Sequence, residues 1–151
     1  MFKKILLALI IVLIVAQFFR PPRNSGSAFG ASDITQVVAV PDRVMAILQT
    51  ACYDCHSNAT NYPWYSNISP VSWWLNSHIN DGKRELNFSI FATYSARRKN
   101  NMLEGTAELV KEGAMPLDSY TWVHKEAELS MEEKVAITSW ATAAQQELGK
   151  K

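Results

Sequence analysis

One short motif restricts the fold of this chain more than any other feature, Cys52-Tyr53-Asp54-Cys55-His56. Its two cysteines are three positions apart, about one helical turn, so both thiols can reach the two vinyl groups on one edge of a porphyrin. The histidine that follows then lies beneath the ring, where its imidazole can bind iron. The motif therefore predicts a fold built around one covalently attached haem c per chain, with Cys52 and Cys55 as attachment points and His56 as an iron ligand.

Other interpretations of the cysteine pair are weaker. A thioredoxin-like dithiol requires a βαβ setting, and no strand pattern is visible in the sequence. A zinc site requires further ligands, but the chain has only two cysteines, and His78 and His124 are scattered. A structural disulfide between Cys52 and Cys55 would close a very small loop and leave His56 unexplained. Haem attachment accounts for all three residues of the motif.

A second axial ligand would approach the iron from the opposite face of the ring. Met115 is the preferred candidate, because Pro116 restrains its loop and favours an extended backbone at the methionine. The other methionines are weaker candidates. Met45 precedes the motif by two turns and is expected on the wrong side of the ring, and Met102 follows a polar, basic stretch. Met131 sits in the first turn of the last helix, where an apolar or exposed role is expected. A bis-histidine site through His78 or His124 remains the main alternative.

The N-terminus carries an apolar run over residues 5–19, preceded by Lys3 and Lys4. A basic start followed by an apolar segment is typical of an export signal, so residues 1–23 are predicted to be a hydrophobic signal-anchor helix. As a helix the run would span roughly 22 Å, short of a ~30 Å hydrocarbon core. Cleavage after Ala28 is the alternative, but charged residues and prolines separate the run from that site, so retention as a membrane anchor is preferred.

The remaining chain divides by composition. Residues 24–32 are rich in Gly, Ser and Asn and are predicted to be a flexible linker, and residues 33–151 form the domain. Four basic residues flank the apolar run; without them 11 basic and 14 acidic residues remain, a net charge of −3. A mildly acidic domain is not typical of a nucleic-acid-binding protein. We therefore expect no nucleic-acid partner.

Helical patterns dominate this domain, which is predicted to be all-α. The clearest helix is the last: Ser130 and Glu133 form a capping box, and an apolar stripe follows at Ile137, Trp140, Ala141, Ala144 and Leu148. Further helices are expected from Pro41-Asp42 into Cys52, from Val71 to about Asp81 with an end near Gly82, and from Leu103 to Lys111 with an end at Gly113. Phe88 to Tyr94 is ambiguous, and Ala114 to Lys125 is expected to be a loop.

The order of these motifs resembles the bacterial haem-binding domain family of small exported mono-haem proteins. The likeness spans nearly the whole chain and rests on the segments Cys52 to Asn58, Tyr62-Pro63-Trp64-Tyr65, Pro70 to Trp74, Leu86-Asn87-Phe88, Met115-Pro116-Leu117, Tyr120 to His124 and Trp140-Ala141. The resemblance implies a cytochrome c-like helical fold, haem c on Cys52, Cys55 and His56, and Met115 as the sixth ligand. It also implies an uncleaved anchor and a haem domain exposed to the periplasm.

The expected function is electron transfer by a single-pass protein of the cytoplasmic (inner) membrane, without enzymatic chemistry. A six-coordinate iron leaves no room for a substrate, so the expected partners are redox proteins, in particular membrane oxidoreductases. A haem-based ligand sensor or small haem enzyme is the alternative, and it requires a distal site that can open. A thiol–disulfide oxidoreductase using Cys52 and Cys55 is a more remote third.

Overall fold

The part of the chain that the structure describes contains seven α-helices joined by short 3₁₀ turns. A computed structural model describes residues 1–150, and within them no β-strand occurs, which confirms the expected all-α class. The helices are α1 (Phe2–Ala16), α2 (Asp42–Ala51), α3 (Tyr53–His56), α4 (Val71–Glu85), α5 (Ala96–Glu112), α6 (Asp118–Thr121) and α7 (Met131–Leu148). The 3₁₀ turns are Ile34–Gln36, Trp64–Asn67, Phe88–Thr93 and Lys125–Ala127.

The core lies where α5 and α7 pack against each other and against α2. The stripe predicted on α7 is buried there at Ile137, Trp140, Ala141 and Ala144, while Leu148 is partly buried. The indole Nε1 of Trp140 donates a hydrogen bond to the Ala39 carbonyl at 2.9 Å, which joins α7 to the segment before α2. The packing of α2, α5 and α7 forms the core of the domain. A cavity lies beside this core, between α3, α4 and one face of α5.

Two helix ends follow the local sequence signals. Ser130 caps α7: its hydroxyl accepts from the Glu133 backbone N–H at 3.3 Å, and its own N–H donates to the Glu133 carboxylate at 2.8 Å. Gly113 ends α5 in the left-handed region at φ 77°, where a residue with a Cβ would be strained. Both predictions are confirmed.

Three other boundaries differ from the sequence expectation. Helix α4 does not end near Gly82 but continues to Glu85, because the glycine serves packing rather than termination. Helix α5 begins at Ala96 rather than Leu103, because Ser95 caps it by accepting the Arg98 backbone N–H. The segment expected to be a loop after Gly113 contains the short helix α6.

Gly82 allows α4 to touch the segment that carries the cysteine pair. A Cβ at this position would lie 2.7 Å from the Cys55 carbonyl oxygen and 3.1 Å from the Cys55 Cβ. Since backbone atoms cannot move aside without shifting α3, only glycine permits this approach.

We therefore expect Gly82→Ala to lower the free energy of unfolding by about 1–3 kcal/mol, the usual cost of overpacking. Gly149→Ala is the control, because Gly149 has a helical backbone with negative φ and its added Cβ would meet only ordinary contacts. Urea unfolding followed by far-ultraviolet circular dichroism measures both variants. Equal stability of the two variants would contradict the steric argument.

The N-terminal segment that precedes residue 33 contacts the helical domain at several points. Residues 24–32 lie against it: the Gly26 N–H donates to the Asn58 carbonyl at 2.7 Å, and the Phe29 ring stacks on Tyr53 at 5.3 Å between centroids. Helix α1 is apolar, and none of its residues is buried. Among residues 1–150, no helix combines the length and apolar character that a membrane crossing needs.

Candidate functional site

A cavity of about 750 Å³ opens beside α3. Its volume falls within the range of about 300–1,000 Å³ that is typical of small-molecule and cofactor sites. The walls come from α3, from the second half of α4, from one face of α5 and from the loop after Gly113. The lining residues include Cys52, Cys55, His56, His78, Gly82, Arg84, Leu86, Arg98, Met102, Gly105, Met115 and Tyr120.

The cavity brings together the four site residues predicted from the sequence. Cys52, Cys55 and His56 line one part of it, and Met115 reaches it from the loop that follows α5, some sixty positions later in the chain. His78, one of the two alternative ligands, also lines it, but His124 does not.

The His56 imidazole is held in one tautomer. Its Nδ1 lies 3.0 Å from the Leu86 carbonyl oxygen, which can only accept, so Nδ1 carries the proton and Nε2 carries a lone pair. Burial lowers the pKa of His56, against smaller opposing effects of its hydrogen bonds to the Leu86 and Gly82 carbonyls. A neutral imidazole with its second nitrogen engaged by a carbonyl is the usual state of a metal-ligating histidine.

Both cysteines are free thiols with suppressed acidity. Burial, with a smaller contribution from Cys55, raises the pKa of Cys52 to about 12. Burial, with a smaller contribution from Asp54, raises the pKa of Cys55 to about 11. Redox-active dithiols show the opposite shift, because the thiolate is their nucleophile. The surroundings of this pair therefore disfavour thiol–disulfide exchange.

Met115 is positioned by the end of α5. The Ala114 and Met115 N–H groups both donate to the Leu109 carbonyl, at 2.9 and 3.2 Å, so the chain turns sharply after Gly113. The Met115 side chain is partly buried against an apolar cluster of Ile47, Val110 and Ile137. Backbone hydrogen bonds and side-chain packing thus hold Met115 in place at the wall of the cavity.

The two alternative histidines differ in their surroundings. His124 has both ring nitrogens engaged, Nε2 with the Tyr65 hydroxyl at 3.0 Å and Nδ1 with Glu126 at 3.2 Å, and its ring stacks on Tyr120. His78 uses only Nδ1 in a hydrogen bond, to the Trp74 carbonyl at 2.9 Å. Of the two histidines, His78 is therefore the one whose Nε2 could bind a metal. It lies on α4, the helix that packs against α3.

Met102, which the sequence does not favour as an iron ligand, also lines the cavity. Met102 follows polar and basic residues, which hid the apolar face that α5 presents. Gly105 lies one turn later on the same face, and a Cβ there would meet no atom within 4 Å. The spacing of three between Met102 and Gly105 places both residues on one face of α5, and this spacing is the sequence signal that predicts their shared position in the cavity wall. A flat group could approach the α5 backbone at Gly105.

A polar contact connects α6 with the cysteine motif. The Tyr120 hydroxyl donates to the Asp54 carboxylate at 2.8 Å, across sixty-six positions of sequence. Asp54 also accepts from the Asn61 N–H at 2.9 Å. Asp54, the second of the two residues between the cysteines, therefore anchors the segment that follows Met115.

Arginines border the cavity. Arg98 donates to the Arg84 carbonyl at 2.8 Å and lies over the Tyr94 ring, 4.4 Å from its centroid. Arg84 itself pairs with Asp81 at 2.9 Å. Of the basic cluster 97–99, Arg98 is the member that lines the cavity, where its guanidinium could face acidic groups of a bound molecule.

Comparison with known proteins gives one match. A family model described as a haem-binding domain matches residues 11–143, which is most of the chain and includes the cysteine motif, Met115 and the first 13 of the 18 residues of α7. No curated protein and no solved structure matches significantly. The lining residues fit such a ligand, because the cavity combines apolar walls with two thiols and a neutral imidazole at one side.

Proposed function

Since the chain belongs to the haem-binding domain family, we propose that it is a membrane-anchored mono-haem c-type cytochrome that carries electrons. Cys52 and Cys55 would hold one haem c per chain through thioether bonds, and His56 and Met115 would be the axial ligands of its iron. When bound, the haem supplies one-electron chemistry. The protein would bind, orient and shield that group without transforming a substrate.

The hydrogen bond between His56 and Leu86 carries this proposal. It leaves Nε2 of a neutral imidazole available beside two free thiols in a single cavity. An imidazole fixed in this way keeps its ring orientation when iron changes oxidation state, which lowers the reorganisation needed for electron transfer.

The choice of Met115 as the second ligand rests on where it comes from. His78 lies on α4, which packs against α3 through Gly82, so it approaches from the side that carries His56. Met115 comes from the loop after α5, and the Tyr120–Asp54 hydrogen bond ties the segment that follows it to the motif. As an iron ligand, the thioether of Met115 would favour a higher reduction potential than a second imidazole.

Electron transfer is favoured over the alternatives by the filled coordination sphere. With His56 and Met115 both bound, a substrate would have no iron position to occupy, whereas a ligand sensor or small haem enzyme would need one ligand to leave. The raised pKa values of Cys52 and Cys55 disfavour the thiol–disulfide function. The partners would be redox proteins that meet the exposed side of the cavity in transient complexes, in particular membrane oxidoreductases.

An intact N-terminus is supported by the contacts of Asn24. Its side chain donates to the Ser57 carbonyl and the Thr60 hydroxyl, both at 2.9 Å, and accepts from Lys83 at 2.6 Å. Cleavage after Ala28 would remove these bonds from the segment that follows the cysteine motif. We therefore favour α1 as a retained anchor in the cytoplasmic membrane, with the haem domain in the periplasm.

The test is to mature the full chain in a bacterial host that attaches haem to exported proteins, and to measure its intact mass and visible spectrum. The expected result is a mass increased by one haem, a low-spin spectrum and a methionine–iron charge-transfer band. High-spin iron that binds carbon monoxide at once would support the sensor instead. A polypeptide without covalent haem would overturn the proposal.

A further inference from the structure

Apolar side chains cluster at the point where α1 meets the helical domain. Phe18 and Phe19 follow α1, and Ile68, Val71 and Trp73 lie around the start of α4. All five are exposed, with Phe18 at 83% and Trp73 at 43%. We call these five residues the exit patch. An exposed apolar cluster of this kind on a small domain marks an interaction surface.

Hydrogen bonds hold the two parts of the exit patch together. The Gln17 side chain donates to the Ser69 carbonyl at 2.9 Å and accepts from the Ser69 N–H at 3.0 Å. The Trp73 indole Nε1 donates to the Phe19 carbonyl at 2.5 Å. The end of the apolar helix is therefore bonded directly to a tryptophan on α4.

We propose that the exit patch lies in the interfacial layer of a lipid bilayer and seats the haem domain on the membrane surface. This rests on the membrane anchor proposed above, because the patch continues the apolar surface of α1. Tryptophan is enriched at the level of lipid headgroups, where its apolar ring and its polar N–H both find partners. Phenylalanine is common on the apolar face of segments that lie in this layer.

The basic side chains next to the exit patch fit a lipid bilayer as its partner. Arg20 and Arg23 border a small cavity beside the chain that leaves α1, together with Tyr62 and Asn67. Arg23 donates to the Asn67 side chain at 2.6 Å and lies over the Tyr62 ring, and Arg20 donates to the Gln17 carbonyl. Two guanidinium groups at the border of an apolar patch suit anionic headgroups.

Seating the exit patch in the headgroups would also orient the cavity. Trp73 and Gly82 are nine residues apart on α4, which corresponds to about 14 Å along the helix. The cavity would then open beyond the headgroup layer, where a redox partner could reach it. The patch would thus fix orientation as well as distance from the membrane.

The test is hydroxyl-radical footprinting of the full haem-loaded chain in lipid nanodiscs of phosphatidylcholine and phosphatidylglycerol, loaded at one chain per disc. Trp122 is the internal control, since it is 76% exposed and lies outside the patch. From exposure alone, 43% against 76%, Trp73 should be oxidised at about half the rate of Trp122. Lipid cover should make Trp73 about tenfold slower than Trp122, since its indole leaves bulk water.

A variant separates lipid cover from ordinary burial. Gln17→Ala removes the two bonds to Ser69, so oxidation of Trp73 should rise toward half the rate of Trp122 while the visible spectrum stays unchanged. Oxidation of Trp73 in the unaltered chain at half the rate of Trp122 would overturn the interfacial patch. If Trp73 were protected only when each disc holds two chains, the protection would come from contact between copies of the chain. That result would also overturn the interfacial patch. The spectrum of the same sample reports haem attachment, so failure of the haem proposal is visible separately.

Discussion

Replacing His56 with alanine is expected to lower the yield of haem-containing protein more than any other single substitution in the cavity outside the two attachment cysteines. The imidazole supplies the proposed iron ligand, and its hydrogen bond to Leu86 joins α3 to the segment after α4. Loss of a partner that only supports a metal ligand costs about 10–100-fold in affinity, so loss of the ligand itself should cost at least as much. The measurement is covalent haem per polypeptide, by pyridine haemochrome absorbance against protein mass.

His78→Ala is the matched control, because His78 lines the same cavity and also has its Nδ1 bonded to a backbone carbonyl. It should retain haem at the unaltered level. His124→Ala should do the same, since both nitrogens of His124 are engaged outside the cavity. Equal haem content in the His56 and His78 variants would refute the assignment of His56.

Local signals explain most of what could be predicted. The capping residue Ser130, the glycine at 113 and the apolar stripe of α7 act within one or two turns of chain, so the sequence alone locates them. The cysteine motif is equally local, because the chemistry of attachment sets its spacing. The family match over residues 11–143 confirms the haem-binding family that these features suggested.

Features that depend on distant contacts could not be predicted. Gly82 resembles a helix end, and only its contact with Cys55 explains why α4 continues beyond it. The first turns of α5 lack apolar periodicity, so their helical state depends on the Ser95 cap and on packing against α7. The bond between Tyr120 and Asp54 joins residues sixty-six positions apart, and no local pattern encodes it.

Met115→Ala is expected to abolish the methionine–iron charge-transfer band while haem stays attached, because Cys52, Cys55 and His56 remain in place. The reduction potential should fall by more than about 0.1 V, since axial ligands set haem potentials over a range of about 0.8 V. Visible and near-infrared spectroscopy measures the band, and spectroelectrochemical titration measures the potential. The iron of this variant should also bind carbon monoxide, which the unaltered protein should resist.

Two further methionines make this prediction specific. Met131 is 75% exposed at the start of α7, so Met131→Ala should leave both band and potential unchanged. Met102 is the sharper comparison, because it lines the cavity from α5 yet packs in the main core. Met102→Leu preserves volume and should keep the band. If the band survives Met115→Ala and disappears in Met102→Leu, the thioether comes from the wall of α5, and the loop after Gly113 only closes the cavity.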